Sequence, residues 1–543
     1  MTESKPASHE ASRRDILKAA AWAAPVAAAI SHITPAAAQS VALTELTSVE
    51  AIDRVKKGEM KAEDYLNALL DHHDTHKNLN SIWHIDRERI RAEARAVDVA
   101  RAKGESLGLL AGLPFVVKDQ IDVAGYPTTV GSPVLKGYVA RKNAVVIDAM
   151  LKQGAVMMAK AAMSDLLTGG NGRYFPVVRN PYDLNRLTGS SSTGNGAAIA
   201  GRIAPAGIGE DSAGSVRYPA AFCGIAGLRP STFAFDNYFN KTDRKRYSGD
   251  GMVPPTNWMD TMGPMGRTVA DVALLDTAIT GEKTPPVSLR KVRIGIPRAD
   301  YWDKRPHDPV VRKVIEDGFA KIRAAGASLV EVDYNGLVEL SAQDRLGPIV
   351  TRVQKPMSEW LAENFPDATE DDIEEARRLH GFIPEPVNYW RPSGKPPARP
   401  EPTGSEENAM MQHAWMKYSG VFKDNGITAL ASPTINILPP LIKHDLNTRE
   451  TRILVNDKWV EEWDLVLTNI WWGSRFGAPA LSLPVALASN TTPNPSGSFA
   501  LDMPVGMQLQ GMPGADTQIL GIGIEVEKLF GRLPPPTYKH VPV

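Results

Sequence analysis

From residue 113 onward, short apolar runs alternate with segments of helical period, and this alternation restricts the chain to one class of fold. Leu113-Pro-Phe-Val-Val-Lys118 is an apolar run that ends in a lysine. Ala144 to Gln153 is spaced as a helix, and Val156-Met-Met-Ala-Lys160 is again a buried-strand run. The order then repeats: helix near 194–202, strand near 204–208, helix near 267–280, strand at 292–296, helix at 309–325, strand at 328–332. Strands interleaved with helices argue an α/β layered fold around one sheet. Residues 49–103 read as helices ahead of this region, and helix then strand texture resumes near Ser405 and at 426–430. The prolines at 384, 386, 392, 396, 397, 400 and 402 cannot continue a helix or a central strand, so 384–404 reads as an irregular surface insertion.

The N-terminus reads differently. Ser12-Arg-Arg-Asp-Ile-Leu-Lys18 precedes a mildly apolar stretch, Ala19 to Ile33, and then Ala36-Ala37-Ala38. A charged region, an apolar region and a small-residue site in that order mark an export signal, and the arginine pair resembles the twin-arginine type. Cleavage is expected after Ala38, leaving 39–543 as one large domain in the periplasm. The apolar stretch is too short for an ordinary membrane span, so no stable membrane insertion is expected.

The net charge of −1 gives no field that would hold nucleic acid. The single cysteine, Cys223, cannot form an internal disulfide and lies in an apolar run, where a small buried hydrophobe is expected. His72 and His76 share a helical face but have no nearby Glu-x-x-His or cysteine partner, and they read as surface residues, not metal ligands.

Two small-residue loops carry the chemistry. They are Leu187-Thr-Gly-Ser-Ser-Ser-Thr-Gly-Asn-Gly196 and Gly209-Glu-Asp-Ser-Ala-Gly-Ser-Val-Arg217, on either side of an Ala-rich helix. Such loops turn sharply and bring amides close to a ligand. They lack the Gly-Lys-Ser/Thr and Gly-x-Gly-x-x-Gly patterns of phosphate loops. No histidine lies between His84 and His307, and the Gly-x-Ser-x-Gly elbow is absent around Ser191 and Ser215. On residues alone the loops are either plain turns or a site with an activated serine; a histidine from elsewhere in the chain stays open as its base, and a lysine is a natural substitute. Lys118, at the end of an apolar run, is placed where burial favours a neutral amine.

The ordered set of Gly112-Leu-Pro-Phe-Val-Val-Lys118-Asp, the serine loop 189–196 and Asp211 to Pro230 resembles the amidase signature family. Asp260 to Val272, Gly477 to Pro484 and Met503 to Pro513 agree with it, and Ser248 through Gly281 is most similar to the mandelamide and indoleacetamide hydrolase branch. The resemblance runs from about residue 45 to the end. It implies a mixed, mostly parallel central sheet with helices on both faces. It also implies a Ser-Ser-Lys unit in which Ser215 is the nucleophile, Ser191 the bridge and Lys118 the base. The backbone amides of Ser212, Ala213, Gly214 and Ser215 are then expected to form the oxyanion hole, with no metal or organic cofactor. Ser192, Asp211 and Arg217 are expected to support the site, the last two as an ion pair. Tyr174, Phe175, Trp471 and Trp472 are candidates for a pocket wall, with ordinary core packing as the other reading of the tryptophans. Three positions depart from the family pattern by replacing a glycine: Ser190, Thr193 and Ala213. The expected function is hydrolysis of a small carboxamide, aryl amides among the candidates, by a serine acyl-enzyme, with the amide and water as partners and room for a homodimer. Ester or carbamate hydrolysis on the same site is the alternative. So is the glutaminase subunit of a tRNA amidotransferase, which an export signal argues against.

Overall fold

The computed structural model describes residues 43–131, 135, 137–164, 175–232, 246–253, 260–334, 404–442, 452–455, 458–461, 465, 469–489 and 502–539. Residues 1–38, expected to be an export signal, lie outside the described residues, as do residues 384–404, expected to be an insertion, except Gly404, which opens a helix. Helices α1 (Ser48–Lys57), α2 (Ala62–Thr75) and α3 (Arg87–Ala102) fill the stretch expected to be helical, with strand β1 (Ile82–His84) between the last two. The start of α1 is fixed locally. Thr47 Oγ1 accepts from the Glu50 amide at 3.2 Å, and the Glu50 carboxylate accepts from the Thr47 amide at 2.9 Å, so two otherwise free amides are satisfied.

The expected alternation follows as β2 (Pro114–Lys118), α4 (Val145–Lys152), β3 (Val156–Ala161), α5 (Thr193–Ala200) and β4 (Ala206–Asp211). Then come α6 (Arg217–Cys223), β5 (Ala226–Arg229), β6 (Thr261–Gly266) and α7 (Val269–Thr280). A second βαβ unit is made by β7 (Arg293–Ile296), α8 (Pro309–Ala324) and β8 (Ser328–Glu331). The chain closes with α9 (Gly404–Asn425), β9 (Ala429–Pro433), the hairpin β10 (Arg452–Val455) and β11 (Lys458–Glu461), α10 (Trp471–Arg475), β12 (Ala480–Ala488), β13 (Met503–Gln510) and α11 (Asp516–Phe530).

Eleven strands form one sheet in the order β1-β3-β2-β4-β6-β5-β12-β13-β9-β7-β8. Alternate residues along a strand face opposite sides, and here both sides are covered. Val116 and Met158 pack with Tyr65 and Leu66 of α2 and Ile90 of α3, whereas Phe115, Val117 and Met157 pack with Ile147 and Met150 of α4 and Leu275 of α7. The single-domain α/β architecture is therefore as expected, but the sheet is not mostly parallel. Four neighbouring pairs run parallel, and six run antiparallel. The reason lies in the connections. The parallel pairs β2–β3 and β7–β8 are βαβ units legible in the sequence, whereas an antiparallel pair such as β5–β12 joins strands distant in sequence, with Leu228 opposite Leu481.

The parallel pair β2–β4 sets Lys118 and Glu210 at the same end of the sheet. Gly207 and Gly209 keep β4 bare on the side facing α5. A Cβ at Gly207 would lie 2.8 Å from Asn195 Nδ2, and one at Gly209 would lie 2.8 Å from Ser192 Oγ. The loop that enters α5 can thus rest directly on the strand.

Candidate active site

Every residue of β2 is buried, Lys118 included, with no exposed side-chain surface. Its Nζ donates to Ser191 Oγ at 2.8 Å and to Glu210 Oε2 at 2.7 Å. Burial is the largest influence on the amine and pulls its pKa down from the usual lysine range, while Glu210 and, beyond it, Asp260 and Asp211 pull the other way. Ser191 is fully buried and follows a cis peptide bond from Ser190. The Ser190 hydroxyl hydrogen-bonds with that of Ser164 at 2.9 Å.

Ser192 stitches the two loops together. Its amide donates to the Ser215 carbonyl at 3.2 Å, its hydroxyl donates to the Glu210 carbonyl at 3.3 Å, and the Glu210 amide donates back to that hydroxyl at 3.4 Å. The supporting role expected of Ser192 is therefore a backbone tie. Ser215 sits partly exposed, together with Ser212 and Ala213, on the solvent side of this buried layer. Among the described residues no hydrogen bond joins the Ser215 and Ser191 hydroxyls, so the sequence-expected chain is closed from Lys118 to Ser191 and open at the next link. Links of this kind often tighten only when substrate is bound.

The expected ion pair is present and larger than anticipated. Arg217 donates to both Asp211 carboxylate oxygens at 3.0 Å, and Arg229 donates to Asp211 Oδ1 at 3.3 Å and to the Asp211 carbonyl, with all three side chains fully buried. Burial alone would raise the Asp211 carboxyl; the two guanidiniums hold it well below the carboxylate range. Arg217 also reaches Ile470 O at 2.7 Å, Gln508 Oε1 at 2.8 Å and Ser474 Oγ at 2.9 Å, tying α6 to α10 and β13.

One oxyanion assignment needs correction. The Gly214 amide donates to Asp211 Oδ1 at 2.8 Å, so it is already engaged and not free for a substrate oxygen. The amides of Ser212, Ala213 and Ser215 have no such bond among the described residues. Asp211 causes the difference, since it folds back over the loop and takes the Gly214 and Val216 amides for itself. Ala213 is not at positive φ; Gly214 is, at 111°, so replacement of a glycine at 213 brings no backbone strain.

The pocket candidates divide. Tyr174 lies outside the described residues, as does the Trp472 side chain. Phe175 is buried in an apolar cluster with Val130, Met163 and Val178, its ring 5.3 Å from Trp83. It lines a cavity of about 540 Å³ with His73, Trp83 and Ala162, and none of Lys118, Ser191 or Ser215 belongs to that lining. Trp471 packs against the Tyr418–Phe476 cluster with the Arg475 guanidinium 4.7 Å over its ring, which is the core-packing reading. Cys223 is buried as expected. His72 is no surface residue. Its Nε2 lies 2.9 Å from Tyr538 OH and 3.0 Å from Gly201 O, holding the C-terminal segment down.

Sequence reading missed Glu210, Arg229, Ser474 and Gln508. The one available signal was Glu210 beside Asp211, two acids ending a run that is otherwise apolar.

The amidase family model matches residues 64–520. The chain is similar to mandelamide hydrolase of Pseudomonas putida, 28% identical over 519 residues that cover 93% of this chain and 95% of that one. It is similar to indoleacetamide hydrolase of Rhizobium radiobacter, 27% identical over 504 residues, 90% of this chain and 98% of that one. Among solved structures, the native peptide amidase of Stenotrophomonas maltophilia superposes with a TM-score of 0.68 at 21% identity, covering 91% of this chain and 99% of that one, a likeness of fold.

Proposed function

The chain belongs to the amidase family, and from that premise we propose that it hydrolyses small carboxamides through an acyl-enzyme on Ser215. The carrying observation is the buried contact of Lys118 Nζ with Ser191 Oγ at 2.8 Å, behind a serine that solvent can reach. A desolvated lysine is a usable base at modest pH because its neutral form is favoured. In the proposed cycle neutral Lys118 takes the Ser191 proton as Ser191 takes the Ser215 proton, and Ser215 Oγ forms a bond to the carbonyl carbon. The resulting oxyanion is held by the free amides of the 212–215 loop, each such donor typically contributing about 3 kcal/mol. The protons return by the same path to the leaving nitrogen as the C–N bond breaks. Water, deprotonated by the same relay, then releases the acid.

The names of the two similar hydrolases favour aryl and arylalkyl amides as the substrate class. The arginine pair and Ala36-Ala37-Ala38 favour export to the periplasm. A panel of aryl, aliphatic and peptide amides, with matching esters and carbamates, should show amide turnover by release of ammonia or amine. Intact mass after rapid acid quench should find the acyl adduct on wild-type protein and none on Ser215→Ala. Undiminished turnover by Ser215→Ala would remove the nucleophile assignment.

A further inference from the structure

Glu210 is placed where nothing in the proposed cycle requires a charge. It is fully buried near the end of β4. Its Oε2 accepts from Lys118 Nζ at 2.7 Å, and its Oε1 accepts from the Ser212 hydroxyl at 2.6 Å. Ser192 holds its backbone on both sides. One carboxylate therefore touches both the relay lysine and the loop that carries Ser215. Carboxylates are seldom buried unless paired, and breaking such a pair leaves an uncompensated charge.

We infer that Glu210 is a positioning residue that fastens Lys118 to the 212–215 loop and sets the pH at which hydrolysis begins, a role that rests on Lys118 being the relay base. Ser191 can pass its proton only to an amine that has first lost one to solvent. A carboxylate 2.7 Å from that amine stabilises its protonated form and so delays the loss. The other groups facing Lys118 do not replace it. Ser191 is neutral, Asp211 is committed to Arg217 and Arg229, and Asp260, ahead of β6, acts on Lys118 without a hydrogen bond to it. Burial works against Glu210, and the balance between them fixes the working range.

The test is the pH profile of kcat/KM for wild type, Glu210→Gln, Glu210→Asp, Ser212→Ala and Lys118→Met, with an amide identified in the substrate panel. Removing the charge in Glu210→Gln should move the rising limb to lower pH by roughly one to three units, the usual reach of an adjacent opposite charge. Ser212→Ala, which leaves the carboxylate beside Lys118, should lower kcat with the limb in place. Residues of merely structural importance would lower the rate without moving the limb, so a Glu210→Gln limb within a few tenths of a unit of wild type overturns the inference. Glu210→Asp withdraws the carboxylate by one methylene and should move the limb a smaller distance the same way; it decides the matter if the glutamine variant does not fold. Lys118→Met separates the two levels. Activity surviving there takes down the relay reading and this inference together, whereas activity lost there with an unmoved Glu210→Gln limb overturns this inference alone.

Discussion

Asp211→Asn tests how the site is held together. The carboxylate is fully buried and accepts four hydrogen bonds of known length: two from Arg217 at 3.0 Å, one from the Gly214 amide at 2.8 Å and one from the Val216 amide at 3.3 Å. Arg229 adds a fifth contact at 3.3 Å. Asparagine keeps the shape but has a single acceptor oxygen, and its NH2 must face groups that also donate. Both guanidiniums stay charged and buried without their counter-ion. Two lost charge-assisted bonds, at about 1.5–3 kcal/mol each, sum to roughly 3–6 kcal/mol, which spans the roughly 3–5 kcal/mol found when one partner of a buried pair is removed. The measurement is urea unfolding followed by circular dichroism at pH 7, comparing midpoints at matched slope. Activity should fall along with stability, because the Gly214 and Val216 amides that shape the loop before and after Ser215 are released. Adding Arg217→Met should recover part of the stability by removing one stranded charge. An Asp211→Asn midpoint equivalent to less than about 1 kcal/mol of loss would show that the cluster is not what holds the loop.

Two further outcomes are expected. Gly214→Ala puts a methyl group at φ 111°, where any side chain strains the backbone, and against the Ile470 side chain, so the loop is driven from its place; kcat should fall by roughly a hundredfold, and an unchanged kcat would mean that the loop's position does not govern the reaction. His72 is pulled down to about 4 from 6.5, first by burial and then by His76, so it is neutral in the folded chain. A depressed imidazole contributes stability that is complete above pH 6.5 and lost as pH falls toward 4, here about 1–2 kcal/mol after allowing for its partial exposure. Denaturation curves across that window should be less pH-dependent in His72→Gln, and an identical slope would refute the assignment.

The parts of this site that were legible in the sequence are those whose signal is local. An apolar run ending in Lys118 is buried because every neighbour in the run is, and the serine loops stand out because small residues are needed where α5 rests on β4. Glu210 was hidden for a geometric reason. The strand was expected to end at 208, which made Glu210 and Asp211 look like one polar loop. In fact β4 runs through Asp211, and successive side chains take opposite sides. Glu210 meets Lys118 while Asp211 meets Arg217, so two adjacent acids belong to two separate charge systems. The antiparallel centre of the sheet was hidden because periodicity reports burial and not partners, and β5 finds β12 some 250 residues away in sequence. Aromatic spacing likewise says nothing about which cavity a ring lines, which is why Phe175 was placed at the site and is found packed on Trp83.

These two charge systems are unequal in what they permit. Asp211 is outnumbered by Arg217 and Arg229, so its charge is fixed and its geometry is fixed with it. Lys118 and Glu210 are matched one to one in a fully buried setting. A proton can leave such a pair without leaving a large net charge beside it, because the arginine cluster's excess positive charge lies just across β4. Desolvation disfavours the lysine cation and attraction to Glu210 favours it, each acting on the same amine. A base that has to be neutral to work and charged to be held requires opposing forces of comparable size. Replacing Glu210 should therefore move the pH of onset, whereas replacing members of the arginine cluster should move stability and rate but leave the onset closer to its original place.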